Sequence, residues 1–309
     1  MVRVLIGLAL YQGAEHIMAQ LDSIAAQDYR DWRLIVSDDG SDDDGVKLVR
    51  QFAATQPPGR VRIVGGPRKG ATRNFLSLIG HAKPGEYLAL SDQDDVWRPD
   101  KLSRALTALS KHQTAGLYSA RTTICDEKLI PQAGARRFRG PFEFRNALVQ
   151  AVTAGNTCVL APKAVDVARK AAGPAAAAGI ESHDWWLYQL ISGAGMQVLR
   201  DDAEVLYYRQ HEGNLKGRND TFMAMRIRLG QLFDGNYRSW LYANLVALSG
   251  VRDLLSPENR TLLDTFNATL SQPGWCQVRV FRRMGIRRQT MAGTFAFYTA
   301  ALMGRLRRS

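Results

Sequence analysis

The sequence predicts an α/β protein: a mixed, mainly parallel sheet flanked by helices, followed by a helical C-terminal tail. Apolar runs of strand length alternate with amphipathic stretches from Val2 to Ala120, the signature of a parallel sheet with helices on both faces. Polar, acidic or glycine-containing turns follow several of these runs. From about Thr221 onward the pattern changes to helices alone.

Taken in order, Val2 to Leu10 is almost continuously apolar and is bounded by Tyr11-Gln12-Gly13, as suits a strand covered on both faces. Ala14 to Ala26 repeats apolar residues at helical spacing (Ile17, Leu21, Ile24, Ala25). Trp32 to Val36 is a second strand, ending in Ser37-Asp38-Asp39-Gly40-Ser41, with a helix from Asp43 to Ala54. A third strand spans Val61 to Val64. The next helix, Gly70 to His81, sets Phe75, Leu78 and Ile79 on one face, and Glu86 to Leu90 is the fourth strand. Pro99 to His112 is helical and Gly116 to Ala120 a strand, whereas the arginine-rich stretch Cys125 to Gly140 reads as loop. A helix over Phe142 to Gln150 is broken at Ala154-Gly155-Asn156-Thr157. A short strand, Cys158 to Leu160, precedes a helix from Pro162 to Ala172, with Pro at its start. Gly173 to Gly179 reads as a small-residue loop, Glu181 to Ile191 as a helix, and Gln197 to Leu199 and Val205 to Tyr208 as two short strands. The tail is expected to hold helices over Phe222 to Phe233, Tyr237 to Leu255, Pro257 to Leu270 and Arg287 to Arg305. A boundary near residue 220 separates an α/β domain, 1–220, from the tail, 221–309.

The 309 residues are 46% hydrophobic and 23% charged, and the formal net charge of +12 points to an anionic partner. Cys125, Cys158 and Cys276 are scattered and odd in number, which argues against a disulfide scaffold or zinc site and for a reducing compartment. No secretory signal is read at the start, and no run reaches the ~18 apolar residues of a membrane span.

The densest chemistry lies in Leu90-Ser91-Asp92-Gln93-Asp94-Asp95-Val96-Trp97, where three carboxylates occupy four positions just after a strand. Carboxylates this close repel and call for a cation. Mg²⁺ or Mn²⁺ suits them, because such ions bind through one or two carboxylates together with substrate phosphates. Ligands of parallel sheets bind at the carboxyl ends of the strands, and Tyr11, Asp38, Asp39, Asp92 and Asp94 all follow strands. Other chemistries lack their patterns: there is no GxGxxG, no GxxxxGK[ST], no GxSxG and no calcium-loop spacing in Asp38 to Gly45. Later in the chain, His183-Asp184-Trp185-Trp186 opens a helix. A carboxylate beside two indoles is expected to be partly desolvated, with its pKa raised towards a useful range for proton transfer.

The order of these motifs, Val36 to Ser41, Gly70 to Phe75, Leu90 to Trp97, His183 to Trp186 and Tyr208-Arg209-Gln210-His211, resembles family 2 glycosyltransferases, inverting enzymes of GT-A fold. The Ser-Asp-Gln-Asp-Asp-Val-Trp form is similar to the bacterial rhamnosyltransferase-like branch that builds surface polysaccharide. The resemblance covers Val2 to Asn214. It implies that 1–120 is the nucleotide-sugar-binding half and 121–220 the acceptor half. It implies a donor site of Ala9, Tyr11, Asp38, Asp39, Arg73, Asp92 and Gln93. Asp39, more than Asp38, would hydrogen-bond a pyrimidine base, and Arg73 the base or pyrophosphate. Asp94 would bind the divalent ion, with Asp92 at the ribose or a metal water and His211 at the metal or diphosphate. Asp184 would be the catalytic base, and Trp185, Trp186 and Asn156 would shape the sugar and acceptor site. The implied donor is dTDP-rhamnose or a UDP-sugar, and the acceptor a glycan or polyprenyl-diphosphate-linked glycan.

Residues 271–309 contain eight arginines and no Asp or Glu, around the uncharged segment Met291 to Gly304. That segment is too short to span a bilayer but suits an interfacial helix, so association with an anionic membrane surface is expected, on the cytoplasmic face. Two other classes compete. A nucleotidyltransferase would carry a glycine-rich basic loop after the first strand, where this chain has Tyr11-Gln12-Gly13-Ala14-Glu15. A nucleic-acid-binding protein would spread its basic residues along the cleft, which here is acidic, so no nucleic-acid partner is expected.

Overall fold

A computed structural model describes residues 3–210, residue 230 and residues 235–307. Its sheet has nine strands. The parallel part consists of β1 (Val4–Leu10), β2 (Trp32–Asp38), β3 (Val61–Gly65) and β4 (Tyr87–Ser91), in the order β3-β2-β1-β4. Connecting helices α1 (Ile17–Ala25), α2 (Gly45–Ala54) and α3 (Ala71–Ile79) cover the two faces. The register pairs Leu10 with Asp38, Asp38 with Gly65 and Leu8 with Ser91, so all four strands deliver their carboxyl ends to one edge.

Beyond β4 come the two-residue β5 (Val96–Trp97), α4 (Lys101–Lys111), β6 (Ala115–Cys125) and β7 (Pro131–Gly134). A single helical turn α5 (Phe144–Ala147), a 3₁₀ turn over Gly155–Thr157, β8 (Val159–Leu160), α6 (Pro162–Ala178), α7 (His183–Gly193) and β9 (Gln197–Arg209) follow. β8 lies antiparallel between β4 and β6, and β9 runs parallel to β6, which makes the sheet mixed. The tail contains α8 (Asn236–Gly250), α9 (Pro257–Leu270), α10 (Gly274–Arg283) and α11 (Met291–Leu302).

Alternation along β1 splits the core into two layers. Val4, Ile6, Leu8 and Leu10 pack with α1, α2 and α4, while Leu5 packs with α3, α6 and α7. On the second face Gly7 matters: a Cβ there would stand 3.3 Å from Leu78 Cβ, so α3 packs almost directly on the strand. The same layer continues without interruption into Leu241, Leu263, Phe281, Phe297 and Leu306 of the tail, all fully buried.

Several expectations are corrected. The two short strands at 197–199 and 205–208 are one strand, paired along β6 from Ala115 to Cys125. Register shifts in the pairing and local bonds absorb the polar break, since Asp201 accepts from Tyr118 Oη (2.9 Å) and from Ala203 N–H (3.0 Å). Gly173 to Gly179 is not a loop, because α6 runs through Pro174 to Ala178 and ends at Gly179 in a left-handed cap, φ +68°. Alanine supplies the helix propensity there, with Ala171 and Ala175 in the core. The stretch 125–140 contains β7, and the helix expected from Phe142 to Gln150 is the one turn α5. The helix expected from Arg287 to Arg305 is only α11, which Thr290 caps through Gly293 N–H (3.0 Å), and α10 precedes it. The boundary near 220 and the helix expected over Phe222 to Phe233 lie outside the described residues, 230 excepted.

Candidate active site

Loops at the carboxyl edge of the sheet are tied to one another by side chains. After β1, Tyr11 N–H donates to Gln93 Oε1 (2.7 Å) and Gln93 Nε2 returns a bond to Tyr11 O (2.9 Å), so the first loop is clamped to the acidic motif after β4. Gln12 N–H donates to Ser41 Oγ (3.0 Å) and Ala14 N–H to Asp43 Oδ2 (2.7 Å), joining the same loop to the turn after β2. In that turn Asp38 Oδ1 accepts from Ser41 N–H (3.1 Å). Asp39, 7% exposed, accepts from Arg68 N–H (2.6 Å) and Gly70 N–H (2.7 Å) and so holds the β3–α3 loop. Its own N–H donates to Leu10 O (2.8 Å).

From there α3 leads to the second half of the chain. Thr72 Oγ1 donates to Glu181 O (2.7 Å), two residues before the start of α7. Asp184, in the first turn of α7, accepts on Oδ1 from Trp185 N–H (2.8 Å) and from Ser182 Oγ. Its backbone carbonyl accepts from Thr153 Oγ1 (2.9 Å). Three residues on, Asn156 Nδ2 donates to Asp95 Oδ2 (2.7 Å). The contacts therefore close a circuit: Asp39 to Gly70, Thr72 to Glu181, Asp184 to Thr153, Asn156 to Asp95, Gln93 to Tyr11, and Gln12 back to Ser41. Gly155 sits at its tightest point, where a Cβ would lie 2.3 Å from His183 Nε2, and the His183 ring packs on Phe75 with centroids 4.0 Å apart and planes tilted by 30°. The Asp184 carboxylate also lies within electrostatic reach of Cys158. Burial first and Asp184 second push that thiol up, and Cys158 O accepts from Leu90 N–H (3.0 Å) beside the acidic motif.

Of the other residues singled out in the sequence, Ala9 is partly buried in β1 opposite Ser37, and Tyr11 is 57% exposed at the rim. Arg73 is half-buried on the first turn of α3, and Asp92, Gln93 and Asp94 are half-buried in the loop after β4. His211 lies outside the described residues. Asn156 is 5% exposed and its amide braces Asp95 from inside. The expectation that Trp185 and Trp186 offer faces to a sugar does not fit their burial. Trp186 is fully buried, and Trp185, 5% exposed, donates Nε1–H to Ala147 O (2.7 Å) and stacks on Tyr237. A helix opening on two adjacent apolar residues turns both inward when it is covered on several sides, as α7 is by β6, α3, α5 and α6.

Three residues were given no role of their own in the sequence reading. Asp95 is fully buried, and burial, with Asp94 and Asp92 nearby, pushes its carboxyl well above the usual carboxylate range. Lys101 is also fully buried, its Nζ 3.1 Å from the centroid of the Trp97 ring; burial lowers its pKa well below the ordinary lysine value while Asp95 opposes the shift. Neither burial is visible in the sequence, where acids and lysines are ordinarily expected at the surface. Arg209, 7% exposed, donates Nε–H to Asp94 O (3.1 Å), and only its neighbour His211 had been singled out.

Among the described residues no group of three or more His, Cys, Asp or Glu side chains is arranged to hold a metal ion. The donor set nonetheless fits a hard divalent ion that is completed by a ligand's phosphates. Asp92 and Asp94 supply carboxylates, and Asp95 Oδ1 is a buried carboxylate oxygen with no hydrogen-bond partner.

The family model for Glycosyl transferase family 2 matches residues 6–166. The dTDP-rhamnosyl transferase RfbG of Shigella flexneri is 30% identical over 75% of this chain and 81% of its own length. The putative glycosyltransferase EpsE of Bacillus subtilis is 27% identical over 39% of this chain and 43% of its own. Two solved structures share the fold. The mannosyltransferase of Pyrobaculum calidifontis in complex with GDP-Man and Mn²⁺ has 18% identity and a TM-score of 0.52, covering 99% of this chain and 87% of that one. TarS 1–349 of S. aureus in complex with UDP-GlcNAc has 14% identity and a TM-score of 0.54, covering 97% and 90%.

Proposed function

Because the chain belongs to glycosyl transferase family 2 and is a glycosyltransferase, we propose that it transfers a sugar with inversion from a nucleoside-diphosphate sugar. The donor we favour is dTDP-L-rhamnose, supported by the likeness to a protein named as a dTDP-rhamnosyl transferase; UDP-sugars are the second choice. The acceptor is a glycan, free or carried on a polyprenyl diphosphate, met at the inner face of the cytoplasmic membrane during surface-polysaccharide synthesis.

What supports this reading above all is the hydrogen-bonded circuit that links the loops after β1, β2 and β4 to the start of α7, through Asp39, the acidic motif and the backbone carbonyl of Asp184. In the proposed reaction Asp184 takes the proton of the acceptor hydroxyl as its oxygen attacks the anomeric carbon. The bond from that carbon to the diphosphate oxygen breaks, and the nucleoside diphosphate leaves with the electron pair. Ser182 Oγ and Trp185 N–H fix the orientation of the Asp184 carboxylate. Asp39 and Arg73 hold the base end of the donor, with Ala9, Tyr11, Asp38 and Gln93 lining the same site. Asp94 and Asp92 would hold Mg²⁺ or Mn²⁺, whose contribution is to neutralise charge on the departing diphosphate.

Two variants test the assignment. Asp94→Ala and Asp184→Asn are each expected to abolish sugar transfer. Asp184→Asn should keep the stabilisation by dTDP and Mn²⁺ in thermal-shift assays, because it removes a proton acceptor and not a ligand. Turnover retained by either variant would refute that residue's role, and a screen of dTDP, UDP and GDP with Mn²⁺ ranks the donors.

A further inference from the structure

The tail packs on the catalytic domain with one face and leaves the other uncovered by the described residues. Inward, Phe281, Phe297, Ala300, Ala301 and Leu306 are fully buried. Asn146 Nδ2 donates to Arg287 O (2.9 Å), and Gln289 N–H to Gln150 Oε1 (2.7 Å). The tail helices are therefore held against the catalytic domain.

The uncovered face is unusual. Eight large hydrophobic side chains are exposed among the described residues, and five of them, Trp275, Met291, Phe295, Leu302 and Met303, lie on α10, α11 or just beyond. Met291, Phe295 and Leu302 are spaced by four and seven, which puts them within about 40° of one another around the helix axis. On α10, Trp275, Arg279, Arg282 and Arg283 line one shallow groove. The two helices meet where a Cβ on Gly274 would stand 2.4 Å from Leu302 O, so the start of α10 lies against the end of α11. All eight arginines of residues 271–309 belong to this segment, with no acidic residue among them.

We infer that the outward face of α10 and α11 is a docking surface for a bilayer that carries anionic lipid. Trp275, Phe295 and Leu302 enter the headgroup boundary and the arginines meet lipid phosphates. Only the purpose of the surface, bringing the site to a lipid-linked acceptor, rests on the function proposed above. The pattern is that of an interfacial helix, with an apolar face, cationic flanks and a tryptophan at the rim. A nucleic acid would engage the arginines but leave Met291, Phe295 and Leu302 in water. A second copy of the chain would set two arginine-rich faces against each other, which repel. Among the described residues no helix is long and apolar enough to cross a membrane, so the contact is peripheral.

Flotation of the full chain with vesicles of phosphatidylcholine, with and without phosphatidylglycerol, tests this. The wild type should float only with the anionic vesicles and be released by salt. Phe295→Ser/Leu302→Ser and Arg282→Glu/Arg283→Glu should each lower the bound fraction at least about tenfold. Both should keep the wild-type melting temperature and transfer to a water-soluble acceptor, because the changed side chains are exposed. A wild type that stays with neither vesicle overturns the proposal. So does an apolar double variant that floats unchanged, since that leaves only loose charge attraction. Tighter binding of an oligonucleotide than of anionic vesicles, or a dimer that Phe295→Ser/Leu302→Ser dissociates, would assign the face to another occupant. Flotation without sugar transfer to any acceptor would count against the proposed function and leave the docking surface standing; transfer without flotation would do the reverse.

Discussion

Replacing Asp39 by Asn probes the joint on which the donor side of the site is built. The carboxylate accepts from Arg68 N–H at 2.6 Å and Gly70 N–H at 2.7 Å and is 7% exposed. The loop it holds includes Arg68 at φ +55°, a left-handed conformation that costs a non-glycine residue and that the bond to Asp39 helps to hold. Asparagine preserves the volume but offers one acceptor oxygen and one NH₂. One backbone N–H therefore faces a donor, and the other loses a charged acceptor. A bond to a charged group contributes about 1.5–3 kcal/mol and a stranded buried donor costs about 1–3 kcal/mol; because one oxygen still accepts, the two effects overlap and the expected loss is about 2–4 kcal/mol. That is about 30- to 1,000-fold in the folding constant. Urea unfolding followed by tryptophan fluorescence should show a lower midpoint at unchanged slope, and dTDP should no longer raise the melting temperature. Asp38→Asn is the control. It perturbs a single bond, 3.1 Å from Ser41 N–H, and should cost about 1 kcal/mol or less. Equal losses in the two variants would refute the reasoning.

Two further predictions concern the scaffold and the acceptor side. Glu86 takes Arg33 Nε–H (2.7 Å), Arg33 Nη2 (2.5 Å) and Lys83 N–H (2.8 Å); burial pushes its carboxyl up, but these bonds outweigh it and hold the pKa below the usual carboxylate range. The group therefore stabilises the fold above that range, and its contribution is lost as pH falls through its own lowered value. Stability measured by urea unfolding between neutral and acid pH should drop more steeply for the wild type than for Glu86→Gln; parallel curves would sink the assignment. Gly155→Ala should displace His183 and with it the first turn of α7, since the added methyl would lie 2.3 Å from Nε2 and Phe75 blocks the ring's retreat. Misplacement of about 1 Å at Asp184 lowers kcat by about 100-fold; unchanged kcat would show that the turn has room to give.

The sequence carried most of the fold because the first half obeys local rules. Continuous apolar runs made β1, β2 and β4, and helical spacing of Phe75, Leu78 and Ile79 made α3. The position of Asp38, Asp39, Asp92 and Asp94 just after strands put them at one sheet edge as soon as the strands were parallel. Local rules fail where distant partners decide. Asp201 and Asp202 break the apolar pattern of β9, yet pairing with β6 and the Tyr118 hydroxyl keep the strand whole. Gly173 and Pro174 look like a stop, but α6 continues because Ala171 and Ala175 pack into the core on either side of them.

The chemistry of the site divides along the same line. Residue type and order along the chain determined which acids occur and which strands carry them, since both follow from side-chain period and turn chemistry. Only the tertiary structure decided where the two indoles go, because β6, α3, α5 and α6 together bury Trp185 and Trp186 whatever their affinity for sugars. It alone set Lys101 and Asp95 in the interior, and it alone joined Thr72 to Glu181 across more than a hundred residues. Burial and long-range hydrogen bonds depend on which surfaces meet, and no window of adjacent residues contains that information.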